Sequence, residues 1–214
     1  MRRLIFTTPL HPPNVLWAAV KPVLPETART GLDLSANMLA VAREKLGGAV
    51  ELVQGDAERL PFADGRFEVL LCNDSFHHYP NPGAAAAEFA RVLQPGGVLL
   101  LGDCTAPAGL RGVANLFLPL SGEGDVRLYS GAELAALAAE SGTRAVVLAH
   151  LSRENNTPAR AWETAARRLR SMGCEPNLDL SLTVAPRSGL GPTYQLESGR
   201  VLQASPSGEE AALC

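Results

Sequence analysis

A chain of 214 residues, 46% of them hydrophobic and with a mean hydropathy of +0.05, is long enough to bury one α/β core and too apolar to stay unfolded. Its net charge of −3 offers no electrostatic footing for nucleic acid, which usually meets a basic face. No apolar run approaches the ~20 residues of a membrane span. The opening MRRLIFTTPLHPP carries two arginines but too short an apolar stretch for a signal peptide. Cys72, Cys104, Cys174 and Cys214 fall at no CxxC or Cys/His metal spacing, so reduced thiols in a cytoplasmic protein are expected.

In chain order, residues 4–7 (LIFT) suit a short strand. Residues 8–14 form a loop with three prolines and no glycine, and Asn14 is placed to cap a helix over residues 15–20. The run GLDL ends a strand at Asp33. Ser35 then caps a helix over 36–45, whose Met38, Leu39, Ala42 and Leu46 make one apolar stripe. VELVQGD closes the next strand at Asp56, with Gly55 permitting a tight turn. Leu60, Pro61 and Phe62 read as packing and Asp64-Gly65 as a turn. Residues 67–72 alternate as a fourth strand, aiming Asn73 and Asp74 at the same edge. Asn81-Pro82 opens a helix over 83–93, and Gln94-Pro95-Gly96-Gly97 turns the chain into a buried strand over 98–101.

Beyond this point, residues 104–124 are punctuated by Gly and Pro around an apolar portion at 110–120. Ser130-Gly131-Ala132-Glu133 is a capping box opening an Ala/Leu helix that ends near Gly142, and residues 145–151 read as a strand. Thr157-Pro158 starts a helix with Trp162, Ala165, Ala166 and Leu169 inward and arginines on a solvated face. Residues 178–184 alternate as a strand, residues 194–204 suit a hairpin about Ser198-Gly199, and the last ten suit a disordered tail. There are no internal repeats.

A polar residue just past a strand of a parallel α/β sheet sits at the carboxyl edge, where ligands bind. The near-continuous apolar strands fit a sheet covered by helices on both faces. Together they predict a small-molecule crevice along one edge. His77 and His78, being adjacent, do not face one way on a regular element, and no carboxylate sits at ligand spacing, so no metal is expected; either imidazole could serve as a general base. The Gly96-Gly97 pair serves a turn, and no GxGxxG occurs anywhere in the chain.

DLSANML after one strand, GDAERLPF after the next and LQPGG before the last, in that order, resemble the class I S-adenosylmethionine-dependent methyltransferases, and within them the small-molecule type. The motifs cover about a third of the chain directly. The resemblance implies a Rossmann-like doubly wound sheet and S-adenosylmethionine as cofactor. It implies Asp33 on the ribose with Leu34 and Met38 beside the adenosine, and Asp56 accepting from the adenine amino group. Ala57 would meet a ring nitrogen through its backbone N–H, with Gly55 allowing the close approach. Asn73 would line the methionine portion and the acceptor pocket, with Ser75 and Phe76 as weaker candidates. Catalysis would rest on positioning and exclusion of water, so no catalytic residue is assigned beyond the candidates His77 and His78. The partner would be a small-molecule methyl acceptor, with neither nucleic acid nor membrane.

The family opens with a strand, a GxGxG loop and a helix, and residues 8–14 cannot copy that loop because each proline removes an N–H donor. The first strand, central in the family's sheet, is thus replaced, by residues 4–7, or missing. Either the loop is a genuine variant or the chain is a truncated product. The expected division is an N-terminal segment over 1–29, a methyltransferase-like core over 30–151, and a C-terminal helix and tail over 152–214. Two other readings stand beside it: a truncated or degenerate methyltransferase-like protein without activity, and a nicotinamide oxidoreductase supported only by Asp33 after its strand.

Overall fold

The computed structural model describes residues 3–7, 28–73, 75–103, 106, 108–120, 125–143, 145–148, 157–184, 193–197 and 200–204. The loop over 8–14, the helix over 15–20, Asp74, Cys104, Cys214, the end of the strand at 149–151, the turn Ser198-Gly199 and the final ten residues lie outside the described residues. The chain divides into two compact units, Met1–Tyr129 and Ser130–Cys214.

The first unit is built on a parallel sheet of β1 (Arg3–Thr7), β2 (Ala28–Asp33), β3 (Glu51–Gln54), β4 (Phe67–Asn73) and β5 (Leu93–Gly102), in the order β3-β2-β1-β4-β5. The central slot is filled by β1: Ile5 stands opposite Thr30 on one side and Leu70 on the other. Without that strand, the backbone groups of β2 and β4 would face an empty interior. Strand order reverses beside β1, which is where an open α/β sheet forms its crevice.

Two helices follow from their caps. In α1 (Ala36–Leu46), Ser35 Oγ accepts from Met38 N at 3.3 Å, and the inner face buries Leu39 and Ala42 while Met38 and Leu46 are half-buried. In α2 (Pro82–Val92), Asn81 Oδ1 accepts from Ala84 N at 3.1 Å, proline takes the first turn, and Ala85, Ala86, Phe89 and Val92 are buried. The expected turn at residues 94–97 is a bulge inside a strand. Leu93 pairs with Phe67 and the register resumes only at Val98 opposite Val69. Gly96 adopts φ 80°, and a Cβ on Gly97 would stand 2.9 Å from Gln94 O and 3.1 Å from Glu68 O. Phe67, Leu70, Cys72, Phe76, Phe89, Leu39 and Val92 form the buried centre of this unit. α3 (Ala108–Phe117) exposes Leu110, Val113, Leu116 and Phe117. Among the described residues, no helix is long and apolar enough to cross a membrane.

In the second unit the capping box is present as read: Ser130 Oγ accepts from Glu133 N, and Glu133 Oε2 accepts from Ser130 N, opening α4 (Gly131–Glu140). α5 (Pro158–Arg170) buries Ala161, Ala165, Ala166 and Leu169 and exposes its arginines. Ala165, Ala166 and Leu169 pack with Ala135, Leu180 and Leu182, and Trp162 Nε1 donates to Leu182 O at 3.1 Å. β6 (Ala145–Leu148), which the sequence reading attached to the core, pairs in parallel with β7 (Ser181–Val184) in this unit. β7 starts later than residue 178 because Asn177 takes φ 66° and its Oδ1 accepts from Leu182 N, making a turn that leaves Leu178 exposed. β8 (Thr193–Glu197) and β9 (Arg200–Ala204) form the expected antiparallel hairpin.

Candidate functional site

At the carboxyl edge, the tips of β2 and β3 are tied together. Gly55 N donates to Asp33 O at 3.1 Å, and Gln54 Nε2 donates to Leu34 O at 3.1 Å. Asp33 Oδ1 accepts from Ser35 N at 2.7 Å, so the carboxylate is fixed at the strand tip by the same turn that starts α1. Leu34 is exposed and Met38 half-buried one turn into the helix. Gly55 is closely packed: a Cβ there would meet Pro61 at 3.0 Å and Leu32 at 3.1 Å. Asp56 is exposed, its Oδ1 accepting from Glu58 N at 2.9 Å, and Ala57 is buried beside it.

The loop after Asp56 is clamped onto α2. Arg91 donates to Leu60 O (3.1 Å), Phe62 O (2.7 Å), Asp64 Oδ1 (2.7 Å) and both oxygens of Glu88 (2.7 Å each). Glu88 Oε2 also accepts from Leu60 N at 2.7 Å. These Arg91 hydrogen bonds hold the Glu88 carboxyl below the usual range, outweighing the opposing effect of burial, and Glu88 and Asp64 in turn raise the Arg91 guanidinium further above its ordinary value.

At the tip of β4, Asn73 faces Gly102 of β5, where a Cβ would come within 2.6 Å of the Asn73 amide oxygen. A single 3-10 turn, Phe76–His78, follows. Phe76 anchors it among Tyr79, Phe89 and Tyr129, with ring centroids 5.4, 6.3 and 5.5 Å away, and Ser75 Oγ lies 2.9 Å from the Tyr79 hydroxyl. His77 is buried, and its Nδ1 lies 2.5 Å from Oδ1 of Asp103, whose side chain is only 2% exposed. A strap over residues 125–129 crosses this turn. Val126 N and Arg127 N both donate to His77 O, at 2.8 and 3.1 Å. Asn115 grips Leu128 through both backbone groups, at 2.8 and 3.0 Å. The strap brings Asp125 Oδ1 to 3.6 Å from His77 Nε2 and 3.1 Å from His78 Nδ1.

The structure therefore gathers Asp33, Leu34, Gly55, Asp56 and Ala57 at two adjacent strand tips, and Asn73, His77 and His78 at the tip of β4. Sequence reasoning passed over Asp103, although an acid closing LLLGD is the same strand-end signal as Asp33 and Asp56. The Glu88/Arg91 pair was legible only as an i,i+3 spacing. Asp125 had no local signal at all. It reaches the histidines because the fold, not the sequence interval, sets that distance.

Residues 18–101 match the family described as "Methyltransferase domain", a match that begins after β1 and after the proline-bearing loop. The demethylmenaquinone methyltransferase of Listeria welshimeri is 41% identical over 87 residues, 39% of this chain and 37% of that protein. The ubiquinone/menaquinone biosynthesis C-methyltransferase UbiE of Methylobacterium nodulans is 40% identical over 91 residues, 41% of this chain and 36% of that protein. The chain thus spans little more than a third of the length of these curated relatives. Among solved structures, the YcgJ protein of Bacillus subtilis superposes with a TM-score of 0.54 at 28% identity, covering 65% of this chain and 61% of that one. The motifs, the sheet order and these likenesses agree: the sheet is the Rossmann-like doubly wound sheet of the class I methyltransferase type, and residues 18–101 are similar to a methyltransferase domain.

Proposed function

We propose that the protein transfers a methyl group from S-adenosylmethionine to a small-molecule acceptor in the cytoplasm. The observation that carries this reading is the pair of carboxylates, Asp33 and Asp56, at neighbouring strand tips joined by the Gly55 N to Asp33 O bond. An adenosine needs an acceptor for its ribose hydroxyls and another for its adenine amino group, and two adjacent acids at one sheet edge fit that need. Asp33 would hold the ribose, with Leu34 and Met38 flanking. Asp56 would accept from the amino group while the Ala57 N–H meets the ring, and Asn73 would line the methionine portion. The cofactor, when bound, supplies a methyl on a sulfonium whose leaving group is already activated. The protein's own task is then to orient the acceptor and exclude water. His77, oriented by Asp103, and His78 follow the β4 tip and would be the candidates for accepting an acceptor's proton. The names of the curated relatives make a quinone precursor the first acceptor to assay.

Calorimetry with S-adenosylhomocysteine tests the reading. Wild-type protein should bind, and Asp33→Ala and Asp56→Ala should each weaken binding about tenfold to a hundredfold, as expected for loss of a hydrogen bond to a charged group. Absence of heat and of thermal shift at millimolar ligand would leave the degenerate, non-catalytic reading in its place. Saturable quenching or enhancement of NADH fluorescence would instead favour a nicotinamide enzyme.

A further inference from the structure

We propose that His77 Nε2, His78 Nδ1 and Asp125 Oδ1 form a three-ligand site for a zinc-class divalent cation, with Asp103 as the outer carboxylate that orients His77. The three ligand atoms lie within 4.8 Å of one another. A tetrahedral metal with ligands at roughly 2.0–2.1 Å sets neighbouring ligand atoms about 3.4 Å apart, and the two distances to Asp125 are 3.1 and 3.6 Å. The imidazoles are stacked obliquely, with ring centroids 4.1 Å apart and planes at 44°, so two adjacent residues present different ring nitrogens to one point. That is the geometry a regular helix or strand would deny them, and the 3-10 turn supplies it.

At 3.6 Å, the contact between His77 Nε2 and Asp125 Oδ1 is too long for a hydrogen bond and close to the separation of two ligands on one tetrahedral ion. The carboxylate–histidine–metal relay is the usual outer support of such ligands. The ligands are also held in advance, since the strap that carries Asp125 is bonded to the carbonyl of His77 itself. Among the described residues three protein ligands leave a fourth position open, the pattern of a site that keeps water or takes a substrate oxygen. If the methyltransferase reading holds, an acceptor oxygen would occupy that position and the cation, in place of a histidine base, would ease loss of its proton; the cation site itself does not depend on that reading.

The test is titration of the chelator-treated 214-residue chain with cobalt chloride and zinc chloride, no cofactor being present, so its outcome is separate from the S-adenosylhomocysteine experiment. One equivalent of cobalt should give visible d–d absorption without the intense near-ultraviolet thiolate band, and zinc should displace it. Because His78 and Asp125 side chains are 33% and 20% exposed, His78→Asn and Asp125→Asn are the variants of choice, and each should lower affinity at least tenfold. Asp103→Asn should lower it about 10- to 100-fold while leaving the cobalt spectrum of an N/O site. Should the variants fail to fold, zinc added to wild-type protein must still shift the imidazole nitrogen resonances of two of the four histidines. No stoichiometric uptake, uptake with a thiolate band, affinity unchanged by both variants, or unshifted histidine resonances would each overturn the proposal.

Discussion

Replacing Arg91 by alanine removes the clamp that seats the loop after Asp56 on α2. Five hydrogen bonds disappear, and they are not equal. The one to Asp64 contributes little, because that carboxylate is 81% exposed and water replaces the partner. The bonds to Leu60 O and Phe62 O are made by a charge in a half-buried setting, and the pair with Glu88 is two-pronged with Glu88 only 20% exposed. At about 1 kcal/mol for each carbonyl and about 1 kcal/mol for the Glu88 pair, Arg91→Ala should cost about 3 kcal/mol. That corresponds to a fall in Tm of about 6–12 °C for a chain of this size. Urea denaturation followed by circular dichroism measures it, with Asp64→Asn as the comparison, expected within about 0.5 kcal/mol of wild type. The Glu88 carboxyl is held below its ordinary value of 4.5, so its contribution is complete above that value and fades as pH falls through the depressed one. The gap between wild type and Arg91→Ala should therefore narrow in acid. A loss under about 0.5 kcal/mol, or an Asp64→Asn variant as damaging as Arg91→Ala, would refute the reasoning.

Gly97→Ala should destabilise by about 1–3 kcal/mol, because the new Cβ meets two backbone oxygens that cannot move without breaking the β4–β5 register; Gly48→Ala, which meets nothing within 4 Å, is the control in the same denaturation series. In the second unit, Ser130→Ala should cost about 1 kcal/mol through loss of the capping box, measured by thermal denaturation. Burial, with Asp179 and Glu175 nearby, pushes the Cys174 thiol up. Its alkylation by iodoacetamide, followed site by site by mass spectrometry, should therefore lag a small free thiol at neutral pH and catch up only in alkaline solution.

The candidate cofactor edge was legible because its signals are local. Asp33 and Asp56 end apolar runs, Ser35 and Asn81 cap the helices that follow, and Gly55 marks the turn between them. Such features depend on residues a few positions apart, and a strand or helix cap states them directly. Residues 4–7 showed the pattern of a strand but not its place; only pairing with both β2 and β4 makes that short segment the centre of the sheet. The turn over 94–97 was read from its glycines, yet whether it ended a strand or bulged from one depended on what Phe67 and Val69 faced.

From the sequence alone came the α/β alternation, the acids at the strand tips and the caps, since backbone preference and side-chain periodicity act over one or two turns. Tertiary structure alone decided that Arg91 seats a loop remote in sequence and that β6 pairs with β7. It also decided that Asp125, on a strap far down the chain, arrives beside His77 and His78. The physical reason is strand order: which distant residues meet at an edge is set by how the sheet is threaded, and no local interval between residues encodes that.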